Sequence, residues 1–355
     1  MPYLLNAWYA AAMGSEVSAK PFRRTILEQP VALFRDADGD ARAVFDRCPH
    51  RFVPLSRGRV VDGALECGYH GLRFDGTGAC VSNPHGDGSI PKNASVRSFP
   101  LYERYGYVWI WPGDASLADP ALLPAFEFLE QPHQFAANQG YLYARANYQL
   151  VVDNLLDLSH VSYVHKNFVV EGVTAEERLR ATEVELIRVG NSIINRRYRR
   201  NFPPNRTPRV LFGVSDRVDS RTTMHWHAPS LLYFDLGVAE MGQAEEDGLC
   251  TPAAHFVTPE TETTSHYFFV QARNRRLDEE EVGQAFFDLT YDAFVNEDEP
   301  MVAAQQVELG ELTDLLALRP AYLPTDQAAV AARRLLSQLI AAERVINEER
   351  EQPAA

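Results

Sequence analysis

Up to about residue 112 the chain alternates apolar and polar positions over short spans, VALFRD, ARAVFD, ALECGYH, LRFDGTGACV and YGYVWIWPGD, separated by DADGD, VDG and DGTG. A period of two turns one face of each span inward, and the Gly/Asp turns keep each span to strand length, so the pattern predicts a small all-β domain. Trp109 and Trp111 fall on alternating positions of its last strand and are expected in the core. PGDASLADPALLPAF, rich in Pro, Asp and Ala, reads as a linker and divides the chain into residues 1–115 and 116–355. Beyond it NYQLVVDNLLDLSHVSYVH has helical periodicity, SIINRRYRRNF, TMHWHAP, LLYFDLGVAEM and SHYFFVQARN alternate, and two long helical patterns follow. That mixture predicts an α+β domain, an antiparallel sheet packed by helices. The Glu-rich tail ERVINEEREQPAA is expected to be a solvated helix end.

With 46% hydrophobic residues among 355, the chain can bury a sizeable core. A net charge of −14 without a basic stripe argues against nucleic acid or an anionic membrane as partner. No apolar run approaches the ~20 residues needed to cross a bilayer. The opening MPYLLNAWYAAAMG lacks Lys or Arg before its apolar run, so it is expected to be a structural element rather than a signal peptide. Cys48, Cys67, Cys80 and Cys250 are too few and too scattered for a disulfide framework, which fits a reducing cytoplasm. Cys80 and Cys250 are expected as small buried hydrophobes.

Chemistry concentrates in CPHRFVPLSRGRVVDGALECGYHG, where Cys48 and His50 form one cluster, Cys67 and His70 another, with sixteen residues between His50 and Cys67. Cys and neutral His suit a structural zinc. They also suit a Rieske [2Fe–2S] centre, in which two His replace two Cys on one iron. The order favours the latter. Each loop supplies one Cys and one His, so two facing loop tips can place both thiolates on one iron and both imidazoles on the other, whereas finger patterns group the cysteines first.

The C-P-H-R and C-G-Y-H-G-L-x-F motifs resemble the cluster motif of Rieske non-haem iron oxygenases. N-x-W-Y near the start, NPHGDGSIP and YGYVWIWPGD also resemble their vanillate and dicamba O-demethylase branch. The resemblance runs through most of the chain and thins between about residues 167 and 250. It implies an N-terminal Rieske domain followed by a catalytic domain of helix-grip type that holds mononuclear Fe(II).

An electron carrier would need only the first domain, and DNLLDLSHVSYVH supplies a reason for the rest. His160 and His165 with one carboxylate would make the 2-His-1-carboxylate triad of a non-haem Fe(II) site, with open positions for O2. Positions i and i+5 diverge by about 140° on a regular helix, so a break or π-bulge is expected between Ser162 and Val164. Among Asp288, Asp292, Glu297, Asp298 and Glu299, Asp298 alone sits in the middle of an apolar face at helical spacing (Tyr291, Phe294, Val295, Met301, Val302), which selects it as third ligand. The resemblance selects the same residue. Glu297 and Glu299 are expected on more polar flanks, and Pro300 is expected to kink the helix.

Asp157, one turn before His160, is expected either to hold a ligand imidazole in one tautomer or to cap a neighbouring group. The resemblance implies that it bridges His160 to the Rieske His70 of a neighbouring subunit in a ring-shaped homotrimer, and that Asn154 points toward the same metal. His255 and Tyr233 are candidate substrate-pocket residues.

No G-x-G-x-x-G follows a strand, so electrons from NAD(P)H are expected through a separate ferredoxin or reductase. The resemblance thus implies the terminal oxygenase of a multicomponent monooxygenase that O-demethylates a methoxy-substituted aromatic with O2. N-dealkylation or methyl or ring hydroxylation is the alternative within that chemistry, and a Rieske electron carrier the alternative outside it.

Overall fold

The computed structural model describes residues 3–351, so the last four residues of the expected helical tail lie outside it. The chain forms two units, one of Met1–Leu123 with Thr258–Thr261, the other of Pro124–Val257 with Glu262–Ala355. The division falls later than the Pro/Asp/Ala composition suggests because that stretch is tied to the first unit. Asp114 and Asp119 cap short 3-10 turns there, and the Trp111 and Trp8 indoles donate to the Asp114 and Asp119 carbonyls.

The first unit is built from strands β1 (Tyr9–Met13), β2 (Phe22–Ile26), β3 (Gln29–Arg35), β4 (Ala41–Phe45), β5 (Arg59–Val61), β6 (Ala64–Glu66), β7 (Arg73–Phe74), β8 (Cys80–Ser82), β9 (Leu101–Arg104) and β10 (Tyr107–Ile110). They form three small antiparallel sheets, β1-β10-β9, β2-β3-β4 and β5-β6-β7-β8. Trp109 and Trp111 are fully buried, as expected. The MPYLLNAWYAAAMG segment contributes β1, a buried strand paired with β10.

The second unit carries one large sheet in the order β11 (Ala136–Ala144), β18 (Ser265–Arg273), β17 (Ala253–Pro259), β15 (Leu231–Glu240), β14 (Val218–His227), β13 (Ser192–Phe202) and β12 (Glu183–Val189), with β16 (Leu249–Cys250) paired to β15. Helices α1 (Tyr148–Leu156), α2 (Val161–Val164), α3 (Ala175–Arg180), α4 (Arg206–Phe212), α5 (Glu280–Asp292), α6 (Glu299–Leu309), α7 (Leu315–Leu318) and α8 (Gln327–Glu351) accompany it. The α8 helix packs on β13 and α1, and α5 on β11. This is the α+β arrangement that the alternating and helical patterns predict.

The helix expected to break or widen between Ser162 and Val164 does neither at that point; it breaks earlier. It ends at Leu156, where Asp157 turns extended, and a single regular turn, α2, separates His160 from an extended His165 (φ −92°, ψ 98°). The π-helical turn lies elsewhere, at Ala293–Asp298 between α5 and α6. Pro300 supplies a reason. It has no N–H for the Asn296 carbonyl and its ring crowds that carbonyl, so a widened turn just before it relieves the conflict.

Candidate metal centres and their cavity

In the first unit two loops of like geometry carry the Cys/His pairs. The Cys48 N–H donates to the Val53 carbonyl (2.9 Å) and the Phe52 N–H to the Cys48 carbonyl (2.9 Å). The Cys67 N–H donates to the Leu72 carbonyl (2.8 Å) and the Gly71 N–H to the Cys67 carbonyl (3.0 Å). Each loop closes through a left-handed residue at the same offset, Phe52 (φ 60°) and Gly71 (φ 74°). Both thiols join a buried apolar cluster with Phe34, Leu65 and Phe74, while the imidazoles of His50 and His70 lie outward with ring centroids 4.5 Å apart. His85 donates from Nε2 to the His70 carbonyl (2.8 Å) and steadies that loop.

This is the donor set a [2Fe–2S] cluster needs, with thiolates on the buried side and imidazoles on the outer side. Burial pushes the Cys48 thiol up to about 11, so a thiolate persists there only beside a cation. Cys80 is buried in the same cluster, as expected. Cys250 is not the buried hydrophobe expected. It is partly exposed, 3.3 Å from an Arg221 guanidinium nitrogen and near Asp235, because its short edge strand leaves it beside that ion pair.

In the second unit His160, His165 and Asp298 converge, each offering a ligand atom within 4.8 Å of the others. Two hydrogen bonds fix the tautomers. The His160 Nδ1–H donates to the Asp157 carbonyl and the His165 Nδ1–H to Glu297 Oε2 (2.9 Å). Carbonyl and carboxylate oxygens can only accept, so both rings turn a bare Nε2 inward. The two Nε2 atoms are 3.3 Å apart, and 3.4 and 3.3 Å from the Asp298 oxygens. Such a cage of acceptors is satisfied only by a cation or a proton.

Burial lowers the His160 pKa, with Asp298 opposing. Burial also depresses His165, but the Asp298 and Glu297 carboxylates outweigh it and the net direction is upward. A metal at this point would displace that proton. The donor set therefore fits a mononuclear divalent iron with open positions.

Asp298 is 7% exposed, as its selection required, although Met301 proves exposed, as does Tyr291, which lies across the π turn that slips the helix faces. Glu297 and Glu299 are not on polar flanks. Glu297 binds His165, and the buried Glu299 carboxylate is held by both arms of Arg145 at 2.9 Å. The sequence reading missed Glu297, since its role depends on the widened turn that lets adjacent acidic residues face one ring. Asn154 donates from Nδ2 to Asp298 Oδ1 (3.1 Å). The Asp157 carboxylate does not hold the His160 ring; its backbone carbonyl does, and the side chain accepts from the Ser159 N–H and Oγ–H, both 2.9 Å.

The triad stands on the wall of a cavity of about 170 Å³, together with Leu155, Met224, Phe234, Leu236, Phe286 and Phe294. His255 also lines it. Burial lowers its pKa to about 3, so the ring is neutral. The Tyr267 hydroxyl and Nδ1 share a hydrogen bond (2.9 Å), and Nε2 is a buried atom with no partner. Gln271 Oε1 is likewise buried without a partner on this wall. Tyr233 is not part of it. Strand alternation sends Phe234 and Leu236 inward and Tyr233 to the opposite face, stacked on Phe128. Three arginines on this wall, Arg178, Arg197 and Arg199, were also missed.

The Rieske [2Fe–2S] domain family matches residues 7–100, and the vanillate O-demethylase oxygenase C-terminal domain family matches residues 144–342. The chain is 41% identical over 344 residues to the oxygenase component of dicamba O-demethylase from Stenotrophomonas maltophilia, covering 96% of this chain and 98% of that one. It is 38% identical over 353 residues to the oxygenase component of chloroacetanilide N-alkylformylase from Rhizorhabdus wittichii, covering 96% and 97%. The crystal structure of dicamba monooxygenase with non-heme iron and dicamba superposes with a TM-score of 0.84 at 38% identity, covering 97% and 99%. The two converging donor sets and the match along nearly the whole chain agree: this protein belongs to the Rieske non-haem iron oxygenases, among the oxygenase components of the vanillate and dicamba O-demethylase type.

Proposed function

We propose that this chain is the terminal oxygenase of a multicomponent monooxygenase that removes the methyl group of a methoxy-substituted, single-ring aromatic. One observation carries this reading: the open side of the His160–His165–Asp298 triad faces a cavity of about 170 Å³ with largely apolar walls. A dry cavity of about 150 Å³ holds a benzene molecule, so the space suits one substituted ring.

When bound, the cluster at Cys48, His50, Cys67 and His70 supplies electrons one at a time, and iron at the triad supplies O2 activation. The overall change is methoxyarene, O2, two electrons and two protons to hydroxymethyl ether and water. The hydroxymethyl ether then splits to a phenol and formaldehyde. The chain's own part is positional. Glu297 and the Asp157 carbonyl hold the two imidazoles, Asn154 holds the Asp298 carboxylate, and the apolar wall excludes water around the substrate methyl.

Electrons come from a separate ferredoxin or NAD(P)H-dependent reductase. The working assembly is a ring-shaped homotrimer in which Asp157 reaches His70 of the partner subunit, supported by a partly exposed Asp157 carboxylate whose bonds within the chain are to Ser159. A cytoplasmic location goes with thiols kept free for the cluster.

The test is iron-loaded protein with a ferredoxin and an NADH-dependent reductase, supplied with matched methoxy, N-alkyl and methyl aromatics. Formaldehyde and phenol from the methoxy compounds are expected. Turnover confined to the N-alkyl or methyl compounds would contradict the assignment.

A further inference from the structure

The cavity wall carries a second chemical feature besides the triad. On β13 the residues Ile193, Asn195, Arg197 and Arg199 share one face by alternation, and Ile193, Asn195 and Arg197 are buried. A half-buried strand ordinarily turns apolar side chains inward. Here two guanidinium groups take that place, and Arg178 of α3 joins them on the same wall.

Their partners are few. Arg197 has one carboxylate, Asp157, at 4.0 Å, and that carboxylate is already engaged by Ser159. Arg178 donates to Ser162 Oγ (3.4 Å) and the Phe168 carbonyl (3.3 Å), and Arg199 to Thr182 Oγ1 (3.5 Å). Among the described residues neither Arg178 nor Arg199 has a carboxylate within 4.0 Å. Burial and mutual repulsion lower Arg178 to about 10 and Arg199 to about 9, so both remain charged at neutral pH. Three cations facing one occupied carboxylate, in a chain of net charge −14, is an arrangement that stability alone does not favour. An oxyanion entering the cavity would answer it, since guanidinium forks match planar and tetrahedral oxyanions alike.

Resting on the reading of this cavity as the substrate pocket, we propose that Arg178, Arg197 and Arg199 form an anion subsite that binds a ring-attached carboxylate or sulfonate of the substrate. The anion is held by the β13 and α3 side of the wall, and the neutral His255 and Gln271 of β17 and β18 serve the other polar substituents. A smaller cavity of about 60 Å³ shares Arg178, Arg199, Asn205 and Thr222 with the first, leaving room behind the anion for water or a larger group.

The test is calorimetric titration of the iron-loaded protein with benzoate, benzenesulfonate and benzamide, which fill the pocket without turning over. At least one anion should bind ten-fold or more tighter than benzamide, and Arg178→Gln and Arg199→Gln should each remove most of that preference while leaving benzamide unchanged. Whichever anion binds tighter identifies the substituent. Melting temperature separates a binding role from a structural one: removing a poorly paired buried charge should leave it unchanged or raise it. No preference for either anion in the wild type, a preference undiminished in both variants, or a lowered melting temperature in both would overturn the subsite. Arg199→Lys, which keeps charge without the fork, should bind with intermediate preference. Should formaldehyde fail to appear from methoxybenzoates while the anion preference holds, the demethylase assignment falls and the subsite stands.

Discussion

Glu297 and Asp298 are neighbours in sequence yet meet opposite edges of one ring, Glu297 Oε2 at 2.9 Å from His165 Nδ1 and Asp298 Oδ2 at 3.3 Å from His165 Nε2. Both lie in the π-helical turn before Pro300, where consecutive side chains diverge less than on an α-helix. Glu297→Gln keeps the size but removes the charge that secures the tautomer. Iron affinity of the mononuclear site should fall about 10–100-fold, as for lost outer partners of ligating histidines. Iron titration followed by metal analysis checks this, with the cluster absorbance unchanged; unaltered iron retention would leave Glu297 without that role.

Asp157→Asn separates electron transfer from metal binding. His160 is held by the Asp157 carbonyl, which the substitution keeps, so both centres should load normally. If the carboxylate carries the contact to His70 of the partner subunit, reoxidation of the reduced cluster by O2 and substrate should slow by ten-fold or more in a single turnover. Wild-type reoxidation would remove Asp157 from the path.

The like geometry of the two cluster loops yields opposite outcomes at matching positions. At Gly71 (φ 74°) an added Cβ would lie 3.1 Å from Pro84 Cγ, so Gly71→Ala should strain the loop by about 1–2 kcal/mol and weaken cluster retention. Phe52 already adopts φ 60°, so Phe52→Gly should keep the cluster. Visible absorbance after denaturant challenge reads both.

His227 sets part of the acid limit of the fold. Burial, then the neighbouring His225, lower its pKa from 6.5 to about 4, and its Nδ1 shares a hydrogen bond with Ser192 Oγ (2.7 Å). The folded state therefore favours the neutral ring. The stability this contributes is whole above the unfolded value of 6.5 and is lost as pH falls toward about 4. The loss is on the order of 3–4 kcal/mol, at ~1.4 kcal/mol per pH unit. His227→Gln should flatten thermal stability over that window; an unchanged pH profile would contradict it.

The β rhythm, the Cys/His order and the burial of Asp298 were all legible, since each depends on local spacing or on the penalty for a buried charge. The π turn was not, because the conflict between Pro300 and the Asn296 carbonyl can be relieved on either side of the proline. Its misplacement near Ser162 hid Glu297. Phe234 rather than Tyr233 lines the cavity because of a one-residue register that alternation alone leaves open. The run Ile193, Asn195, Arg197, Arg199 was visible as a strand face turning cationic, but only the fold decides which face is inward.

The most direct measurement is formaldehyde formation by His165→Ala alongside its iron content and visible spectrum. Two metal centres predict about three irons per chain in the wild type. The variant should fall to about two, keep the Rieske spectrum and form no formaldehyde. Unimpaired turnover, or loss of the cluster spectrum together with the mononuclear iron, would contradict two separate centres with catalysis at the second.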